Sequence, residues 1–186
     1  TANALMQSVT TVVAGIYVLL RFAFLLDTAP AALEILIAAG SATMLLASLA
    51  AATQLDLSRL LALTTSSVMG LVVVGIGVGA YSTAAFLLLT HGFVKALLLL
   101  ASGVVLTTLK GESDLRKMGG LSQRMRWTQG VFGLGALALV GFPPFANFFP
   151  IEELLAFLWI SERPESDLVL MVAIASLGIL AFALGR

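Results

Sequence analysis

His91 and Lys95 stand four residues apart in Thr90-His91-Gly92-Phe93-Val94-Lys95-Ala96-Leu97-Leu98-Leu99-Leu100, inside an apolar run from Ala84 to Val105. In a helix that spacing puts both side chains on one face, one turn apart. An imidazole and an amine so placed can take on and release protons. Lys95 lies about 18 Å along its span at about 1.5 Å per residue, too deep for comfortable snorkelling. Such a residue faces a bundle interior or a water-filled cavity and marks a proton or ion path, the alternative being a structural ion pair. His91 would relay protons to Lys95, or hydrogen-bond a neighbouring helix.

Other polar side chains in apolar surroundings join the candidate path. Gln7 stands in the opening turns of the first span, and Thr64, Thr65, Ser66 and Ser67 make a hydroxyl-rich turn in the third. These either line a hydrated path or act as polar glue, bonding to their own helix or to a neighbour. Glu34 lies one turn inside the second span, where its carboxylate can snorkel to the interface. Glu152 and Glu153 follow a proline-rich break. They are proton or ion sites, or acids suited to a helix N-terminus. The chain has no cysteine and a single histidine. Iron–sulfur clusters, thiolate metal sites and bis-histidine haem are therefore excluded from this chain alone, so no cofactor or metal site is expected in it.

The elements that must hold these residues are membrane helices. The 186 residues are 60% hydrophobic and 11% charged, with a mean hydropathy of +1.07. A soluble domain of that composition could not cover its own surface. Ten basic residues balance ten acidic ones, leaving no basic surface for nucleic acid. The bilayer is the expected surrounding. Apolar runs of about 20 residues, without strand-like alternation, predict an all-α polytopic bundle in one integral membrane domain, 1–186. Six spans are expected, at about 5–25, 31–53, 60–80, 83–108, 130–160 and 168–184. Pro143 and Pro144, with Pro150 after them, predict that the fifth is broken near 143–150. Six spans place Arg59, Lys110, Arg116, Lys117, Arg124, Arg126 and Arg186 on one side of the membrane, and only Arg21 and Arg163 on the other. The positive-inside rule assigns the first side to the matrix or cytoplasm. The chain opens at Thr1 without methionine or a basic leader, so a processed or fragmentary chain is expected.

Several phrases in fixed order carry a family resemblance. They are Asn3 to Gly15 (Asn-Ala-Leu-Met-Gln-Ser-Val-Thr-Thr-Val-Val-Ala-Gly), Thr53-Gln54-Leu55-Asp56-Leu57-Ser58-Arg59, Thr64 to Ser67 and Thr90 to Leu97. Asp114-Leu115-Arg116-Lys117-Met118-Gly119-Gly120-Leu121 and Gly141-Phe142-Pro143-Pro144-Phe145-Ala146-Asn147-Phe148-Phe149 complete the set. With these phrases the chain, nearly whole up to Glu153, resembles the antiporter-like chain 5 family of respiratory complex I, related to the large subunits of Mrp-type cation/proton antiporters. The resemblance implies an inverted-repeat fold, here one five-helix repeat plus one preceding helix. It implies a proton-translocating subunit of the membrane arm, coupling NADH:ubiquinone oxidoreduction to pumping. Lys95 and His91 would be its proton relay, while flavin, iron–sulfur clusters and quinone belong to partner subunits. Other partners would be membrane-arm chains, including those with the first repeat and the lateral helix absent here. The expected location is the mitochondrial inner membrane, with a bacterial inner membrane or thylakoid as alternatives.

Two departures from the family pattern bear on function. Gln7 stands where the family has histidine, and Ile151 where it has a lysine after the broken helix. Neither side chain exchanges protons at physiological pH. A non-pumping structural piece of the membrane arm therefore stands as one alternative, and within transport an Mrp-type Na⁺/H⁺ antiporter subunit stands as another.

Overall fold

The computed structural model describes residues 11–118, 125–161 and 165–185. Regular structure among them is helical, apart from one bridge between Asp56 and Asp114. The first expected span is interrupted at Phe22, giving α1 (Thr11–Arg21) and the single turn α2 (Ala23–Leu26). Gln7 and the rest of its phrase before Thr11 lie outside the described residues. Then come α3 (Pro30–Thr53), α4 (Leu57–Gly77) and α5 (Tyr81–Thr108). A 3₁₀ turn at Leu115–Lys117 precedes α6 (Arg126–Val140), α7 (Phe148–Ile160) and α8 (Ser166–Gly185). Helices α3, α4, α5 and α8 are each long and apolar enough to cross a membrane.

The stretch expected over 130–160 starts earlier, at Arg126, and is two helices. Gly141 ends α6 in the left-handed conformation (φ 83°) that glycine adopts without steric cost. Its N–H and that of Phe142 donate back to Ala138 and Leu137. Pro143 and Pro144 follow, and prolines cannot continue the ladder. Only from Phe148 does helix resume.

Helices α3 and α4 make the tightest pair, because glycine faces glycine. A methyl group added at Gly70 would lie 2.7 Å from the Gly40 carbonyl oxygen and 2.7 Å from the Met44 nitrogen. α8 closes against α3, and α6 packs along α5. Polarity is inverted relative to a soluble protein. Phe93, Trp127, Trp159 and Phe182 are exposed, whereas Thr64, His91, Lys95, Asn147 and Ser176 are buried. Hydrocarbon and its interfaces accommodate the first set and not the second.

The two ends of the bundle differ. At one end the Leu57 N–H donates to the Ser113 carbonyl and the Leu115 N–H to the Leu55 carbonyl. That contact brings Arg59 to the same end as Lys110, Arg116 and Lys117. At the other end the Tyr81 hydroxyl donates to Asp27 at 2.6 Å. Arg124, Arg163 and Arg186 lie outside the described residues.

Candidate functional site

Lys95 projects from the middle of α5 and is 1% exposed. Its Nζ donates to the Leu61 carbonyl and, at 2.8 Å, to Thr64 Oγ1. Both acceptors belong to the second turn of α4, so the site is built where these two helices face each other. Among the described residues no carboxylate pairs with Lys95. An ammonium held by a hydroxyl and a carbonyl has two of its three donors engaged and its charge unneutralised.

The four consecutive hydroxyls divide by helical rotation. Thr64 accepts from Lys95 and donates to the Leu61 carbonyl at 2.8 Å. Thr65 donates to the same carbonyl at 3.0 Å. Ser66 is exposed and turns back to Ala62 at 3.5 Å, while Ser67 crosses to the Met44 carbonyl of α3 at 3.0 Å. One of the four touches the lysine, and Ser67 is glue between α4 and α3.

His91 shares the α5 face with Lys95 and is 2% exposed. Neither imidazole nitrogen has a hydrogen-bond partner among the described residues. The same is true of both amide atoms of Asn147, which is 0% exposed at the end of the α6–α7 break. Helical register places these two residues at one depth. Gly135 of α6 meets Leu98, and Leu154 of α7 lies against Gly75 beside Ala84. Counting along the helices from either contact brings the Gly141 to Asn147 break level with His91 and Gly92, one turn from Lys95. Asn147 is a residue that sequence reasoning passed over, although an amide inside an apolar broken-helix phrase was a visible signal. The Leu61 carbonyl left no signal, since every residue has one.

The remaining candidates do not converge on Lys95. Glu34 is exposed and lines a cavity of about 170 Å³ at the Asp27–Tyr81 end, with Ser161 and Glu165. Glu152 and Glu153 are exposed on α7, Glu152 in an apolar groove of about 570 Å³ between α7 and α8. Ile151 is buried, its terminal methyl pressed against Gly141.

Comparison with known proteins bears on this geometry. Residues 1–180 match the NADH:quinone oxidoreductase/Mrp antiporter transmembrane family. Subunit L of the NADH-quinone oxidoreductase of Campylobacter jejuni is 37% identical over 92% of this chain and 29% of its own length. NADH-ubiquinone oxidoreductase chain 5 of Metridium senile is 38% identical over 82% of this chain and 26% of its own. The chain thus spans less than a third of these relatives. A structure of the Mrp complex from Dietzia sp. DQ12-45-1b superposes with a TM-score of 0.86 and 25% identity, over 97% of this chain and 34% of that one. A buried lysine between apolar helices, a proline-broken helix at its depth and these matches agree, and the chain belongs to the transmembrane family of NADH:quinone oxidoreductase and Mrp antiporter subunits.

Proposed function

We propose that the chain is a proton-translocating antiporter-like part of the membrane arm of an NADH:quinone oxidoreductase, with Lys95 as the group that loads and releases the proton. The observation that carries this reading is Lys95 itself, buried in mid-helix on neutral acceptors. Those acceptors suit both protonation states. The ammonium donates to Leu61 and Thr64, while the neutral amine offers a lone pair to which the Thr64 hydroxyl can turn and donate. To donate to the amine the Thr64 hydroxyl gives up its bond to the Leu61 carbonyl. His91 is the next proton acceptor along the face. Its nitrogens and the Asn147 amide, buried at one depth without partners among the described residues, call for hydrogen-bonding groups there, a need that water beside a broken helix would meet. Gln7 would extend the path from the first span. Glu34, Glu152 and Glu153, exposed and apart from Lys95, would serve as outer proton acceptors.

The redox groups would sit in partner subunits, with further membrane-arm chains supplying the rest of the antiporter fold. The membrane would be an energy-conserving one, mitochondrial or bacterial. Buried Ile151 favours a second reading, a scaffold whose proton wire is cut at the break. The substitution Lys95→Met separates the two, because methionine fills similar volume without charge. Proton pumping per electron pair in vesicles is expected to fall, with the complex intact on a native gel. Unchanged stoichiometry in an intact complex would reject the pumping role and leave the scaffold.

A further inference from the structure

The connections flanking α4 and α5 meet at the basic end in a contact that the proton path does not use. Asp56 is its centre. One carboxylate oxygen accepts from the Arg59 N–H at 3.0 Å and so caps α4, and the other accepts from the Ser113 hydroxyl. Two backbone bonds flank it, Leu57 N–H to Ser113 at 3.0 Å and Leu115 N–H to Leu55 at 2.8 Å. Asp114 stands opposite Asp56 in the bridge and is occupied within its own loop, by the Arg116 N–H and guanidinium. Asp56 thus binds two segments at once: the start of the helix that supplies the lysine's acceptors, and the loop that ends the lysine's own helix.

We infer that Asp56 and Ser113 form a clasp that positions the Leu61 carbonyl and Thr64 hydroxyl opposite Lys95. Leu61 follows Asp56 by little more than one helical turn, so fixing where α4 begins fixes where that carbonyl sits. Packing alone holds this pair less firmly than its neighbour. α4 lies extensively on α3 through the Gly40–Gly70 contact and less on α5, so the clasp supplies a restraint that the α4–α5 interface lacks. Asp56 and Ser113 are positioning residues, acting through α4 and not on the proton.

The transport arm of this inference rests on the function proposed above, and the labelling arm does not. In the intact complex in membrane vesicles, the rate of Lys95 modification by a small membrane-permeant amine reagent is read by mass spectrometry, alongside pumping per electron pair. Ser113→Ala removes the cross-loop donor while leaving the Arg59 cap. It is expected to raise Lys95 modification about tenfold, the weight of one hydrogen bond to a charged group, and to lower pumping with electron transfer maintained. Ser113→Thr, which keeps the hydroxyl, is expected to restore both. Arg116→Ala, in the same loop but with its side chain bonded, among the described residues, to Asp114 alone, is expected to change neither. Unchanged modification in Ser113→Ala and Asp56→Ala would overturn the clasp, as would an equal rise in Arg116→Ala. If Lys95→Met pumps normally, the transport reading fails and the labelling rates still decide the clasp.

Discussion

Thr64 holds Lys95 and bonds back to Leu61 at once, whereas Ser67, one turn on and equally buried, has nothing to do with the lysine. This separates two kinds of loss. Thr64→Val keeps the side-chain volume and removes one of the two acceptors, at a cost of about 1.5–3 kcal/mol for a buried hydrogen bond to a charged group. Proton transport by the variant complex is expected to fall at least tenfold. Ser67→Ala loses a neutral bond worth about 1 kcal/mol. It is expected to lower the thermal midpoint of the solubilised complex slightly while leaving the pumping ratio intact.

At the scale of elements, the site depends on how closely α3, α4 and α5 approach. Small residues stand at 38–41 of α3, and Gly70 of α4 is the other half of the close contact that Gly40 makes. Adding a methyl there forces backbone apart, and overpacking of this kind costs about 1–3 kcal/mol. Gly70→Ala is therefore expected to reduce the amount of assembled complex and its dissociation temperature. Gly92 is the control, since it neighbours His91 and yet a methyl there meets nothing within 4 Å. Gly92→Ala is expected to be neutral, or to stabilise by up to about 0.5–1 kcal/mol through helix propensity. Equal damage from both would show that the close approach is not what matters. The clasp belongs to this scale too. The Ser113 hydroxyl, and after it the Arg59 N–H, hold the Asp56 carboxyl below its ordinary value of 3.8, so the clasp keeps its charge at neutral pH.

Across the whole molecule, the tryptophans and basic residues describe how the bundle lies in a bilayer. Trp127 opens α6 at the basic end and Trp159 nears the close of α7 at the other, both exposed, as an aromatic belt at each interface requires. The basic end is expected to face the matrix or cytoplasm. With no native cysteine in the chain, Lys110→Cys and Ser161→Cys each give a unique thiol. A membrane-impermeant maleimide is expected to reach Cys-substituted position 110 in inside-out vesicles and position 161 in right-side-out ones. Labelling of both from one side would overturn the topology.

What the residues by themselves determined is local or additive. Long apolar runs make membrane helices because transfer free energy sums along a segment, and paired prolines in the interior of such a run break the helix. Lys95 and His91 share a face because the helical period is four residues to a turn, nearly. Tertiary structure alone decided the pairings between helices. Which of four adjacent hydroxyls meets Lys95, that a featureless carbonyl at Leu61 is its other acceptor, and that Asp56 finds Ser113 all follow from the rotation and axial position of α4. The exposure of Glu34, Glu152 and Glu153, which the residue types left open between path and interface, follows likewise from the rotation of α3 and α7. Rotation and register arise from the summed fit of many small contacts, Gly40 on Gly70 foremost, and no single residue type encodes such a sum.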